Sequence, residues 1–440
     1  MKVALVNPPR SNDKISTACP PLNLGYLASY LKAHNPELDV GIFDGLVGDN
    51  IGELLEECKP DLVGITATTP LAYNAYKIAD FCRSKGFFTV IGGMHVSAVP
   101  EEARAHADCV VIGEGENALL EIVHKRIMKE MPGQVVRGNY VRELDRIPMP
   151  AWNLINMEFY IASPDNPSRH FRFFRGRRAT HLLTSRGCPR KCVFCHNSGS
   201  ELPVRYHGAE RVIGEIQHVT SHYGVDAILF TDDEFVVNTN RLWQIMALMR
   251  KENLHKKIVW ACQARSDSLN DPDAVELLKE MKATGCKGIM VGYESGSPRV
   301  LNFLKCGTVG VDDHVSATEN VKRAGLFVYG NFMIGTIGET EEDIMQTVRL
   351  INRLNLDDCG LAITTPYPNT ALWKTCAQKH LLPDPIDYEA LVPNTDVYNP
   401  KTVIASDTMT REQLVEVYTK AVRLIRRHRR LYRLTHAWRK

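Results

Sequence analysis

The chain has 440 residues, 53 Lys and Arg against 51 Asp and Glu, a formal net charge of +2 and 44% hydrophobic residues. That length allows two or three domains with substantial cores, and the near-neutral balance excludes a global field directed at a polyanion, so nucleic acid is not an expected partner. No apolar run reaches the ~18 residues of a membrane span, and the start, Met1 to Pro9, is broken too soon for a signal peptide. Of the 12 cysteines only three lie close together. The others read as buried small apolar residues of a reducing compartment, and a cytoplasmic location is expected.

Residues 1–140 alternate short apolar runs with helical patterns. Val3 to Val6, Val40 to Phe43, Leu62 to Ile65, Thr89 to Ile91 and Val110 to Ile112 predict strands. Leu22 to Leu31, Ile51 to Cys58, Ala72 to Ser84 and Glu101 to Ala107 predict the helices between them. This alternation predicts an α/β fold with a doubly wound, flavodoxin- or Rossmann-like parallel sheet, whose ligands bind at the carboxyl ends of the strands. Those ends carry Thr66 and Thr68, then Gly92, Gly93 and His95, then Gly113 and Glu114. A module that only supports the next domain is the other reading of this region. Residues 141–178 form a connector. Pro148 and Pro150 favour an extended crossing, and five arginines between Arg169 and Arg178 read either as a grip on an anion or as a solvated basic lead-in.

The stretch that follows is the most informative. An apolar run, His181 to Thr184, reads as a strand, and beyond it Cys188, Cys192 and Cys195 stand at C-x3-C-x2-C spacing in a loop opened by Gly187. Three thiolates suit an iron–sulfur cluster with one iron left open, whereas structural zinc wants a fourth ligand. His196 is the one neighbour that could complete a zinc site. The stretch resembles the signature of the radical S-adenosylmethionine superfamily, with Phe194 matching the aromatic often found before the third cysteine. The resemblance implies a 4Fe–4S cluster on the three cysteines and S-adenosylmethionine on its open iron. It also implies an external electron donor such as flavodoxin or ferredoxin.

Placed ahead of such a domain, residues 1–140 are similar to the cobalamin-binding domain of the B12-dependent members. That similarity implies Thr66, Thr68, Gly92, Gly93, His95, Gly113 and Glu114 as the corrinoid edge. The turn at Asp44 to Gly48 carries Leu46 where a base-replacing family motif carries histidine, so no histidine ligand from it is expected.

Within residues 179–390, Ala227 to Phe230, Ile258 to Ala261, Gly288 to Val291, Phe327 to Met333 and Gly360 to Ile363 predict further strands. With the first they make six units, a partial (β/α)6 TIM-like barrel, with chemistry at the carboxyl ends of its strands. The family likeness implies S-adenosylmethionine contacts at Asp232, Asp233, Glu234, Arg265, Glu294, Gly335 and Gly338. The amine is expected at Asp232 or Asp233, the carboxylate on Arg265, ribose on Glu294, and adenine by the two glycines. Capping of the next helix is the alternative for Asp232 and Asp233, and Glu339 with Thr340 reads as a helix start. Pro366 to Thr370 resembles a turn of the B12-associated members, with Asn369 in place of glycine.

Residues 391–440 predict a helical extension. Thr410 to Gln413 forms a capping box, and Leu414, Val417, Tyr418, Ala421, Leu424 and Ile425 form one apolar face. Its basic end, closing on Trp438, reads as the solvated side of a docked helix or as a peripheral contact with an anionic membrane. The whole predicts an enzyme, foremost a methyltransferase acting on an unactivated carbon of a small-molecule, lipid or peptide substrate. A radical oxidoreductase resembling the anaerobic magnesium-protoporphyrin cyclase is the second reading, and a cluster-based redox sensor or scaffold the non-enzymatic one.

Overall fold

The computed structural model describes residues 1–10, 18–200, 202–392, 397–399 and 401–436, which leaves Trp438 and its neighbours outside. The chain forms two compact units, Met1–His181 with Arg205–Ala227, and Leu182–Val204 with Ile228–Lys440.

The first unit is built on six strands: β1 (Lys2–Asn7), β2 (Asp39–Asp44), β3 (Leu62–Thr66), β4 (Phe88–Gly92), β5 (Cys109–Gly113) and β6 (Val135–Gly138). Their order is β2-β1-β3-β4-β5-β6, and every pair is parallel. Val6 stands opposite Phe43 on one side and Ile65 on the other. The strand order therefore reverses beside β1, and the crevice for a ligand opens at the carboxyl ends there. Val3, Leu5, Val40, Leu62, Val90 and Val111 pack with Leu24, Leu31 and Ile122 in one core. Five strands lie where the apolar runs predicted them. The sixth was not anticipated: it has four residues, and only Val136 of them is buried, because an edge strand needs one covered face.

The second sheet contains β7 (Ala179–Leu182), β10 (Ala227–Phe230), β11 (Val259–Arg265), β12 (Cys286–Glu294), β13 (Phe327–Ile334) and β14 (Asp358–Ile363), in the order β14-β13-β12-β11-β10-β7. Two-residue strands β8 (Ser185–Arg186) and β9 (Arg205–Tyr206) fall between β7 and β10 in the chain. Strands β11 to β14 pair in parallel, and the sheet curls as the partial barrel expected from six units. β7 stops at Leu182, two residues short of the predicted end at Thr184.

The helix Arg411–His436 opens on the expected box, with Gln413 N–H donating to Thr410 Oγ1 at 3.3 Å and Thr410 N–H to Gln413 Oε1 at 2.9 Å. Leu414, Val417, Ala421 and Ile425 are buried, and the helix packs along Glu341–Leu354. Tyr418 Oη donates to Leu361 O of β14 at 3.4 Å, and Arg429 pairs with Asp358 at 2.6 Å. Leu424 departs from the predicted apolar face and is 36% exposed, on the side that also bears exposed Arg423 and Arg427. Among the described residues, no helix is long and apolar enough to cross a membrane.

Candidate functional site

The cysteine loop is held at its entrance. Asp232, directly after β10, is fully buried and accepts from Thr184 N–H at 2.5 Å, from Ser185 N–H at 3.0 Å and from the Thr184 hydroxyl. Arg241 Nη2 donates to Thr184 O at 2.9 Å from the other side. Asp232 is one of the two candidates for the amine, and in this structure its oxygens are directed to the loop backbone. Asp232 does not cap the following helix; Asn238 does, through Arg241 N–H at 3.1 Å. The same grip explains why β7 ends early, since Thr184 bonds to Asp232 and Arg241 instead of continuing the ladder.

Farther along, Val193 N–H donates to Leu304 O at 3.0 Å and Leu372 N–H to Val193 O at 2.9 Å. Asn369 has φ 66°, the left-handed geometry that asparagine tolerates, and its carbonyl would lie 2.7 Å from a Cβ on Gly199. Burial first, then the charge of Glu234, Asp233 and Cys195, pushes Cys188 up to about 11; burial, Asp233 and Cys192 raise Cys195. Cys188 and Cys195 thus favour the neutral thiol, and binding a metal group there must release their protons. Among the described residues, no three His, Cys, Asp or Glu side chains are grouped to hold a single metal ion. A four-iron cluster sets a different requirement, because its thiolates bind separate irons.

Around this loop the strand ends hold charge. Asp233 is exposed and accepts from Asn197 Nδ2 at 2.9 Å, two residues beyond Cys195. Glu234 is 2% exposed, accepts from Arg265 N–H at 2.9 Å, and is raised to about 7 by burial and by Asp267. Arg265 bonds Cys192 Sγ at 2.9 Å, Thr308 Oγ1 at 2.9 Å and Asp267 at 2.8 Å. Glu294, at φ 66°, pairs with buried Lys305 at 2.9 Å. Lys305 also stands 5.9 Å from the Phe194 ring centre. Phe194 is half-buried and packs on Leu372, Cys376 and Ala405.

Gly335 has φ 81°, and a Cβ there would meet Leu414 at 2.9 Å, so the close approach it permits is that of the C-terminal helix. Gly338 donates its N–H to Asp407 at 2.6 Å. Beneath them Glu339 is fully buried, accepts from Gly335 N–H at 2.6 Å, and is raised by burial to about 7. Thr340 caps the next helix with Asp343, as the sequence indicated.

The strand ends of the first unit differ. Asp44 is buried and accepts from Asn7 Nδ2 at 2.9 Å and Tyr160 Oη at 2.5 Å. Thr66 accepts from Asn23 at 2.9 Å, and Thr68 is exposed. Gly92 and Gly93 are half-buried; Gly93 has φ 107°, and a Cβ on it would lie 2.7 Å from Ala67 O. His95 is fully buried, with Nδ1 3.4 Å from Thr69 Oγ1, and burial lowers it to about 4. Gly113, at φ 89°, donates to Ser97 Oγ at 3.0 Å. The Glu114 carboxylate is engaged by the Arg205 guanidinium, with one contact at 3.0 Å.

Residues 182–351 match the Radical SAM superfamily and residues 12–123 the B12 binding domain. A protein of Pyrococcus horikoshii described as an uncharacterized methyltransferase is 34% identical over 410 residues, 87% of this chain and 84% of its own. The chain belongs to the radical S-adenosylmethionine superfamily, in its cobalamin-binding branch. Bacteriochlorophyllide d C-8(2)-methyltransferase of Chlorobaculum tepidum is 28% identical, across 82% of this chain and 78% of its own. In fold, the chain is similar to the radical S-adenosylmethionine methyltransferase TsrM of Kitasatospora setae, solved with cobalamin and a 4Fe–4S cluster, with a TM-score of 0.68 at 18% identity over 86% of this chain and 75% of that one.

The residues present fit the family's groups. Three soft thiols in a braced loop suit the cluster. Among the described residues, the buried side-chain oxygens without a hydrogen-bond partner include those of Glu234, Thr336, Glu339, Thr364 and Tyr367, which follow β10, β13 or β14 at the carboxyl ends. Such oxygens suit a ligand rich in amine and hydroxyl groups. The first unit offers a weakly charged edge in which Thr68 and Met94 are exposed beside half-buried glycines, suited to a large ring with amide arms. Leu46 at the Asp44 turn supplies no metal ligand. Sequence reasoning missed Lys305, Arg241, Thr308 and Arg205. Their side chains come from helices, a loop and the short strand β9, distant in sequence from the groups they engage, and no local spacing marks them.

Proposed function

We propose that this enzyme is a cobalamin-dependent radical S-adenosylmethionine C-methyltransferase, acting on an unactivated carbon of a small-molecule, lipid or peptide substrate. The observation that carries the reading is the pairing of a braced three-cysteine loop with a doubly wound sheet whose carboxyl ends are rich in small residues, in one chain that aligns along most of its length with methyltransferases. When bound, the cluster and S-adenosylmethionine supply a 5′-deoxyadenosyl radical, and cobalamin supplies a transferable methyl group.

The chain's own part is positional. Cys188, Cys192 and Cys195 hold the cluster, and Asp232 with Arg241 fixes the loop's entrance. Asp233, Glu234, Glu294, Gly335 and Gly338 are the candidates for amine, ribose and adenine contacts, with Phe194 packed behind. Thr66, Thr68, Gly92, Gly93 and Gly113 form the corrinoid edge, with His95 and Glu114 supporting it from within. The reductant is a small external electron donor of the flavodoxin or ferredoxin kind.

The test is anaerobic protein with reconstituted cluster, hydroxocobalamin, a low-potential reductant and S-adenosylmethionine labelled as CD3, supplied with a small-molecule cell extract. A CD3-bearing product, with S-adenosylhomocysteine and 5′-deoxyadenosine in equal amounts, is expected. 5′-Deoxyadenosine without S-adenosylhomocysteine would instead make the protein an oxidoreductase or cyclase.

A further inference from the structure

Arg265 ends β11 and is 6% exposed. Its Nη1 lies 2.9 Å from Cys192 Sγ and its Nη2 2.9 Å from Thr308 Oγ1. Its Nε and Nη2 reach the two oxygens of Asp267, at 2.8 and 3.4 Å. Each of these clamps is itself held. Thr308 Oγ1 donates to Lys305 O at 2.7 Å, and Asp267 carries a second ion pair, at 2.8 Å, with Arg190 of the cysteine loop. The Arg265 backbone N–H is fixed on Glu234. A planar guanidinium tied at three corners keeps one orientation, and here that orientation aims an N–H at sulfur.

We propose that Arg265 is a positioning residue for the cluster: a charge-assisted N–H donor to the Cys192 thiolate that raises the cluster's reduction potential. The inference rests on reading Cys188, Cys192 and Cys195 as cluster ligands and does not depend on methyl transfer. One-electron reduction adds negative charge that spreads onto the sulfurs. A fixed positive donor stabilises the reduced form more than the oxidised one, so reduction becomes easier. The same clamps turn the guanidinium away from the two-pronged grip on a ligand carboxylate that its position at a strand end suggests.

The experiment is a potentiometric titration of the full-length protein with reconstituted cluster, followed by electron paramagnetic resonance, with iron and sulfide content measured alongside. Arg265→Gln is expected to retain the cluster and shift the reduced-to-oxidised ratio at fixed potential about tenfold toward oxidised, a fall of about 59 mV for a one-electron couple. Arg265→Lys, which keeps the charge without the clamp, and Thr308→Val, which loosens the clamp without touching sulfur, are expected to fall in the same direction by less. S-Adenosylmethionine affinity of Arg265→Gln, read by equilibrium dialysis, is expected to stay within about threefold of the starting protein. A midpoint unchanged in Arg265→Gln overturns the proposal. So does a loss of S-adenosylmethionine affinity of about a hundredfold with the midpoint unmoved. If the glutamine variant assembles no cluster, the other two decide, and an unchanged midpoint in both overturns it.

Discussion

The carboxyl edges of the two sheets solve opposite problems. In the first unit the charged side chains are engaged by protein: Asp44 by hydrogen bonds from Asn7 and Tyr160, Glu114 by its ion pair with Arg205. What remains toward a ligand is backbone, threonine and glycine. In the second unit the charges stand around the thiols, with Arg265 on Cys192, Lys305 on Glu294, and Asp232 on the loop backbone. A large ring needs a surface that fits it. A small sulfonium on a metal cluster needs directed charge. The comparison teaches that in this chain strand-end position marks a site, while the neighbours of each side chain decide whether it faces a ligand or braces a loop.

The sharpest way to break the comparison is to remove a thiol. Cys188→Ala, Cys192→Ala or Cys195→Ala is expected to lose most cluster iron, by roughly tenfold or more on iron and sulfide assay, while corrinoid absorbance stays. Next is the brace. Asp232→Ala strands two N–H groups and a hydroxyl, each costing about 1–3 kcal/mol, so denaturant stability of the second unit should fall by about 3–5 kcal/mol. Asp232→Asn, which keeps an acceptor, should fall by less. In the first unit Arg205→Ala leaves a largely buried carboxylate without its cation, at a cost of about 3 kcal/mol, with cluster content unchanged.

Acidity separates the edges more gently. Burial raises Glu339 to about 7, above its ordinary 4.5. The folded state therefore binds that proton more tightly, and stability is lost as pH rises from 4.5 through 7. Glu339→Gln should match the parent near pH 5 and exceed it at pH 8 by up to about 3 kcal/mol in denaturant midpoints. For His95, lowered by burial to about 4, the sign reverses: its contribution is lost as pH falls from 6.5 through 4. The smallest effect is expected from deleting residues 428–440. That removes a half-exposed ion pair with Asp358, worth about 1 kcal/mol or less, and should leave flotation with anionic vesicles unchanged.

Much of this was legible in the sequence. Apolar runs located five of the first six strands and all six of the second sheet, because strands of a sheet covered on both faces are continuously apolar. Cysteine spacing marked the candidate cluster loop. The roles of Asp232, Arg265 and Glu114 were not legible, since each is fixed by a partner 48, 73 or 91 residues away. Composition at a strand end says that polar groups gather there; only the packed neighbours say which way each one turns. Asn369 was readable for the opposite reason, because its left-handed backbone is a local property of the residue.

The C-terminal helix has one more consequence. β14 is the last strand of its sheet, and the helix lies on it through Tyr418 and Arg429. An uncovered border strand is a template for pairing with other chains. The helix therefore also acts as a guard against self-association: a chain ended before Thr410 should form aggregates through that strand even if its metal and vitamin sites were intact.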